Sequence, residues 1–303
     1  MLLRQTLLFL SRRKELEEFL KHNSLARQAA GRFVAGDTRA EALAVTRRLN
    51  DEGFKVTLDY LGEEVADAGQ AKAATEEYAG AIEEAAAAGL DTGISVKLSH
   101  LGIRIDERLA LENLLLVTER AGGAGRFVRV DMEGSDLTEK TIEMVRTVHR
   151  QKENIGTVIQ SYLRRSSADI ETLNREKVPV RLVKGAYLEP EEVAFQEKEE
   201  VDLYFMRLVE ALMRDGTRPA IATHDEKLIE YAIDLAFIFG VEPKNFEFQM
   251  LYGIRRDLQE KLLKEGFRVR VYLPYGEDWY GYFMRRLAER PANLMFLLRN
   301  LGK

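Results

Sequence analysis

Residues 278 to 291, DWYGYFMRRLAERP, set two arginines side by side behind a cluster of aromatic residues. With Asp278 as the N-cap of a helix, Tyr282, Arg285, Arg286 and Glu289 take the i, i+3, i+4 and i+7 positions of one face. By itself that spacing reads as a surface pair between Arg285 and Glu289, contributing roughly a few tenths of a kcal/mol. The chemical alternative is a clamp, because two guanidinium forks match the geometry of one carboxylate and charge-assisted hydrogen bonds are the strong ones. Other reactive side chains close short apolar runs: Glu63 or Glu64, Lys97 with His100, Asp131 with Glu133, Gln160 with Tyr162, Arg181 with Lys184 and Tyr187, Thr223 with His224, Gln249 with Tyr252, and Tyr272 with Tyr275. Buried without partners such groups are costly, so they must satisfy one another, meet water or face a ligand. An arginine pair joined by Lys97 and a tyrosine ring describes a site for a small amino or carboxylic acid.

Several other chemistries lack their residues. The chain has no cysteine and only four histidines. His22 and His149 fall in helical segments, and neither H-E-x-x-H nor His-x-His occurs, which argues against a zinc hydrolase. No G-x-S-x-G supplies a serine nucleophile. A Schiff-base lyase using Lys97 or Lys184 stays open, since a desolvated lysine is what that chemistry needs.

The elements that must position these groups are eight runs. They start at Phe54, Gly93, Arg126, Gly156, Val178, Arg218, Asn245 and Phe267, and stretches of helical periodicity such as TEEYAGAIEEAAAAG and DEKLIEYAIDLAFIFG lie between them. Eight strand-helix units predict a parallel (β/α)8 barrel with added N-terminal helices, whose strand ends form the active-site face. An open doubly wound sheet is the rival, but the first strand-helix turn has no G-x-G-x-x-G and no Walker loop occurs. The expected division is a helical segment over 1–50 packing on a catalytic barrel over 51–303. Leu3, Leu7 and Leu10 repeat at helical spacing in a stretch too short to span a bilayer. Packing on the body is expected of them, with a membrane surface as the alternative. The net charge of -5, with basic and acidic residues interspersed, sets nucleic acid aside.

In this order and with barrel spacing, VDMEGS, QSYL, RLVKGAY, THD, FEFQMLYG, VRVYLPYG and YFMRRLAERPANL resemble the proline dehydrogenase family, of the short monofunctional bacterial kind, from about Gly36 to Leu301. The resemblance implies a distorted TIM-like barrel holding FAD. It implies oxidation of L-proline to Δ1-pyrroline-5-carboxylate, with hydride arriving at the flavin N5 and electrons passing to a quinone. It assigns Arg285, Arg286 and Lys97 to the substrate carboxylate, Asp131 and Arg181 to catalysis, and Tyr272 to packing on the substrate ring. Met132, Gln160, Lys184, Gly185, Ala186, Thr223 and His224 match flavin contacts, and Glu63, with Glu64 beside it, matches an acidic gate. No metal is implied. The resemblance further implies a cytoplasmic protein, peripheral contact with the inner face of the plasma membrane, and coupling to a pyrroline-5-carboxylate dehydrogenase. A flavin barrel reducing a folate, the Schiff-base lyase and a non-catalytic scaffold remain as alternatives.

Overall fold

The computed structural model describes residues 18, 20, 23–62 and 64–289. Eight parallel strands, β1 (Lys55–Tyr60), β2 (Thr92–Val96), β3 (Val128–Val130), β4 (Ile155–Gln160), β5 (Val180–Val183), β6 (Ala220–Ala222), β7 (Glu247–Leu251) and β8 (Val269–Tyr275), close in sequence order with β8 on β1. Each lies in one of the eight expected runs or overlaps it, and the (β/α)8 barrel is the observed fold. Helices α1 (Ser24–Ala30) and α2 (Arg39–Asp51) precede the barrel. The helices around it are α3 (Ala68–Ala87), α4 (Leu98–Leu101), α5 (Glu107–Gly123), α6 (Ser135–His149), α7 (Ser166–Arg175), α8 (Lys198–Asp215), α9 (Glu226–Ile238), α10 (Arg256–Lys264) and α11 (Trp279–Glu289).

The strand register sorts the side chains into two faces. Laterally paired residues point the same way in a sheet, and Asp59 pairs with Ser95, Ser95 with Arg129, Arg129 with Gly156, Val158 with Arg181, Ala222 with Gln249, and Gln249 with Arg270. This face is the lumen, because an Arg181 guanidinium on β5 bonds Ser95 on β2 across it. The intervening residues, Val56, Leu58, Ile94, Val96, Val128, Val130, Val180, Leu182, Val271 and Leu273, belong to the main apolar core between strands and helices. Burying each such side chain contributes roughly 1.5–3 kcal/mol, so that layer holds the barrel and frees the lumen for polar groups.

Local signals fix the helices against the barrel. Thr38 and Glu41 form a capping box at the start of α2, which packs on β1 and β8. Asp67 and Asp106 cap α3 and α5 by accepting from Gln70 N–H at 2.9 Å and Leu109 N–H at 2.8 Å. Ahead of α2 the chain is tied to the end of β8: Ala35 N–H donates to the Pro274 carbonyl at 2.8 Å, and Gly276 N–H to the Gly36 carbonyl at 2.9 Å. Gly276 has φ +125°, and a Cβ there would lie 2.7 Å from the Leu61 carbonyl oxygen, so this corner requires glycine. A second apolar cluster joins Leu20, Ala26, Ala30, Phe33 and Val34 to Trp279, Tyr280, Phe283 and Met284 of α11. The N-terminal leucines at 3, 7 and 10 lie outside the described residues.

Candidate active site

Where the strands end, the lumen gathers two linked ion pairs. Lys97 follows β2 at the N-cap position of α4, and its ammonium donates to Asp59 Oδ1. The Asp59 side chain is 2% exposed. Burial opposes charge on Lys97, but Asp59, Asp131 and Glu133 outweigh it and hold the amine above its ordinary value. Burial also pushes the Asp59 carboxyl up, against the pull of Lys97. Three carboxylates, Asp59, Asp131 and Glu133, thus act on the ammonium.

Asp131, one residue beyond β3, bridges the second pair. Its Oδ1 accepts from Arg181 at 2.7 Å and its Oδ2 from the Tyr272 hydroxyl at 2.7 Å. The other terminal nitrogen of Arg181 donates to Ser95 Oγ at 3.1 Å, and its Cζ lies 5.3 Å from the centroid of the Tyr272 ring. Burial and the charges of Asp131 and Asp59 push the Tyr272 phenol well above its ordinary range, so it stays a hydrogen-bond donor. Asp131 thus accepts from Arg181, while Lys97 turns to Asp59. Asp59 and Ser95 escaped the sequence reading, which stopped at the strand's last residues. The signal for Asp59 was a carboxylate inside the otherwise apolar strand KVTLDY.

Tyr187, beyond the end of β5, feels the same charges. Nearly half its surface meets solvent, yet its phenol is pushed up first by its surroundings and Glu133, with Lys97 and Arg285 opposing and Asp131 adding. Arg285 is therefore within electrostatic reach of the same mouth as Lys97. Arg286 instead lies over the Tyr282 ring of its own helix, with Cζ 5.0 Å from the centroid. Glu63 lies outside the described residues, and Glu64 pairs with Arg104 at 2.9 Å. His100 is a buried support: it accepts from the Tyr78 hydroxyl at Nδ1 (2.7 Å) and donates from Nε2 to the Gly62 carbonyl (3.1 Å).

The remaining predicted residues line the adjoining strand ends. Gln160 donates to the carbonyls of Met132 and Glu133 at 3.4 and 3.3 Å, and the Met132 side chain is part of the main core. Lys184 is held between Asp202 at 2.6 Å and Asp225 at 3.2 Å. Gly185 has φ +115°, and a Cβ on it would sit 2.2 Å from the Tyr162 ring. The glycine lets this loop lie on a tyrosine. Ala186 beside it is exposed. Thr223 Oγ1 accepts from Asp225 N–H at 3.1 Å, and His224 Nε2 from Leu251 N–H at 3.0 Å. With Lys97 held charged and Lys184 between two carboxylates, neither amine is free as a Schiff-base nucleophile needs to be.

The sequence profile described as "Proline dehydrogenase" matches residues 42–299. The chain belongs to the proline dehydrogenase family. It is 43% identical over 302 residues to proline dehydrogenase 1 of Bacillus subtilis strain 168, with all of both chains covered. It is 40% identical over 311 residues to the proline dehydrogenase of Deinococcus radiodurans, covering 100% of this chain and 98% of that one. Among solved structures, proline utilization A from Bdellovibrio bacteriovorus, inactivated by N-propargylglycine, superposes with a TM-score of 0.82 at 26% identity, over 87% of this chain and 33% of that one. This chain thus spans a third of that longer protein. Membership of the proline dehydrogenase family accounts for the site's location at the strand C-termini, where barrel enzymes keep their chemistry. Among the described residues no cluster of His, Asp or Glu suits a metal ion, and no helix is long and apolar enough to cross a membrane.

Proposed function

We propose that this chain is an FAD-dependent proline dehydrogenase that oxidises L-proline to Δ1-pyrroline-5-carboxylate and passes the electrons to a quinone. The observation that carries the reading is the convergence of Lys97, Arg181, Asp131 and Tyr272 at one end of the lumen. The residues present fit the flavin. Gln160 Oε1 and Arg181 Nε are buried and meet no partner, so an acceptor and a donor await a ligand with the complementary groups. Met132, Gln160, Lys184, Gly185, Ala186, Thr223 and His224 would hold it. When bound, FAD supplies the two-electron acceptor.

The chain's own groups do the rest. Lys97, with Arg285 and Arg286, binds the proline carboxylate and fixes the ring's orientation, a positioning effect on the order of several kcal/mol. Tyr272, fixed by its bond to Asp131, packs on the ring. Arg181, also held by Asp131, places a fixed cation where negative charge gathers as the substrate loses hydride, which favours the transition state over the ground state. The substrate amine loses its proton to water. Glu63 closes the pocket against the α11 arginines, and peripheral contact with the inner face of the plasma membrane brings the enzyme to its quinone.

Adding L-proline anaerobically to the purified protein tests the core of this reading. Absorbance at about 450 nm, a property of oxidised flavin, should bleach. A colourless protein that takes up no FAD, or a flavin that proline leaves oxidised, overturns it.

A further inference from the structure

At the other end of the barrel, where the strands begin, the lumen opens into a cavity of about 170 Å³ walled by Lys55, Arg129, Arg218, Arg268 and Arg270, with Glu247 the one carboxylate lining it. Three cations that line it have acidic partners: Lys55 pairs with Asp91, Arg270 takes Glu247 through two bonds of 2.7 and 3.0 Å, and Arg181 pairs with Asp131. Among the described residues Arg129, Arg218 and Arg268 pair with no carboxylate. Arg129 is buried, and one of its nitrogens is spent on the carbonyls of Thr157 and Pro179 at 3.0 and 2.6 Å. Arg129 and Arg218 share a single ring: their Cζ atoms lie 4.9 and 5.5 Å from the centroid of Phe127. One phenyl quadrupole attracts both guanidiniums without neutralising either, and their like charges repel. Arg218 moreover has φ +46°, a left-handed backbone that a non-glycine residue keeps only when its surroundings impose it.

The cavity also holds an unmet acceptor. Gln249 lines it and is 3% exposed. Its Nε2 is committed to Glu247 Oε1 at 2.5 Å, which fixes the amide's orientation, and its Oε1 has no donor. Burial and the charge of Arg181 push the Arg129 guanidinium well below its ordinary value, so a negative charge in the cavity would relieve it.

We propose that this basal cavity binds a small phosphate-type oxyanion, its negative oxygens met by Arg129, Arg218 and Arg268 and its P–OH donating to Gln249 Oε1. The requirement for an O–H donor separates inorganic phosphate, which keeps a P–OH at neutral pH, from sulfate, which carries none. The site is independent of the flavin reading, since it lies at the opposite strand ends and is read by binding alone.

Titration calorimetry with inorganic phosphate on the full chain, at constant ionic strength set with chloride, should give saturable binding at one site and a matching rise in Tm. Sulfate should bind at least about tenfold more weakly, the loss of one hydrogen bond to a buried group. Arg218→Gly removes one guanidinium while relieving the left-handed backbone, so the variant should fold at least as stably in phosphate-free buffer yet lose phosphate affinity about tenfold or more. Arg268→Met should lose a comparable factor. Phosphate heats no different from chloride, sulfate binding as tightly as phosphate, or Arg218→Gly and Arg268→Met binding phosphate like the unaltered chain would each overturn the assignment.

Discussion

Lys97 shows how much one side chain depends on its neighbours. Its ammonium is buried, and only the carboxylates around it, Asp59 foremost, hold its pKa up. Asp59→Asn should therefore lower that pKa toward the working range. As pH rises from about 7 to 8.5, a window that ends about two units below the ordinary lysine value, KM for proline should climb in the variant and stay flat in the parent, with kcat less affected. Matching KM profiles would remove Lys97 from carboxylate binding. His100 makes a second test. Its imidazole is lowered from 6.5 to about 3, by burial first and Lys97 second. The folded protein thus holds fewer protons than the unfolded chain between those values, so the contribution is complete above pH 6.5 and drains as pH falls toward 3. His100→Gln should flatten the fall in unfolding free energy between pH 6.5 and 4.5 by up to about 1.4 kcal/mol per pH unit. Equal slopes in denaturant titrations would mean the imidazole is already charged when folded. Lys97, Asp131, Arg181 and Tyr272 were legible as strand-end residues. Their pairing was not, because which carboxylate meets which cation depends on the register that sets Asp59 beside Ser95 and on distances across the lumen.

Helix α11 is placed from outside the barrel. Its aromatic face, Trp279, Tyr280 and Phe283, buries against Phe33, Val34 and the alanines of α1, with the Phe33 and Phe283 rings 6.2 Å apart. Arg285 rides on that packing. Phe33→Ala opens a cavity that should cost about 3–5 kcal/mol and should let the helix start shift. KM for proline should then rise several-fold while FAD content holds, measured well below the variant's melting temperature. An unchanged KM alongside the lost stability would separate the N-terminal segment from substrate binding. The strands of all eight units could be read from β-branched runs and turn residues, since those signals are local. An amphipathic helix face says only that something covers it. That Leu20, Ala26, Ala30, Phe33 and Val34 cover α11 depends on the corner where Ala35 and Gly36 bond Pro274 and Gly276, a contact between distant parts of the chain.

Across the whole molecule the lumen departs from the apolar layers usual in such barrels. Strands reading KVTLDY, VRV and EFQML alternate because their apolar residues face the helices and their polar ones face inward, whereas parallel strands are ordinarily apolar on both faces. The alternation was visible in the sequence, and its meaning is a charged interior running from Lys97 and Asp131 at one end to Glu247 and Arg270 at the other. Its carboxylates keep their charge only while cations answer them. Burial pushes the Glu247 carboxyl up, but Arg270 foremost, then Gln249 and Arg129, bring it down to about 2. Arg270→Met leaves that carboxylate buried with too few partners and should cost about 3–5 kcal/mol at pH 7. Glu247→Met combined with Arg270→Met should recover most of it, because the carboxylate that lost its partner is removed as well. The single variant also has a pH signature. With Arg270 gone, burial lifts the folded pKa of Glu247 above its unfolded value of 4.5, so the deficit should shrink as acid protonates the group in the folded state. A double-mutant cycle by denaturant unfolding at pH 7 and 5 measures both effects. Additive losses with no dependence on pH would mean that the lumen's pairs act as isolated contacts and that the barrel does not depend on their mutual neutralisation.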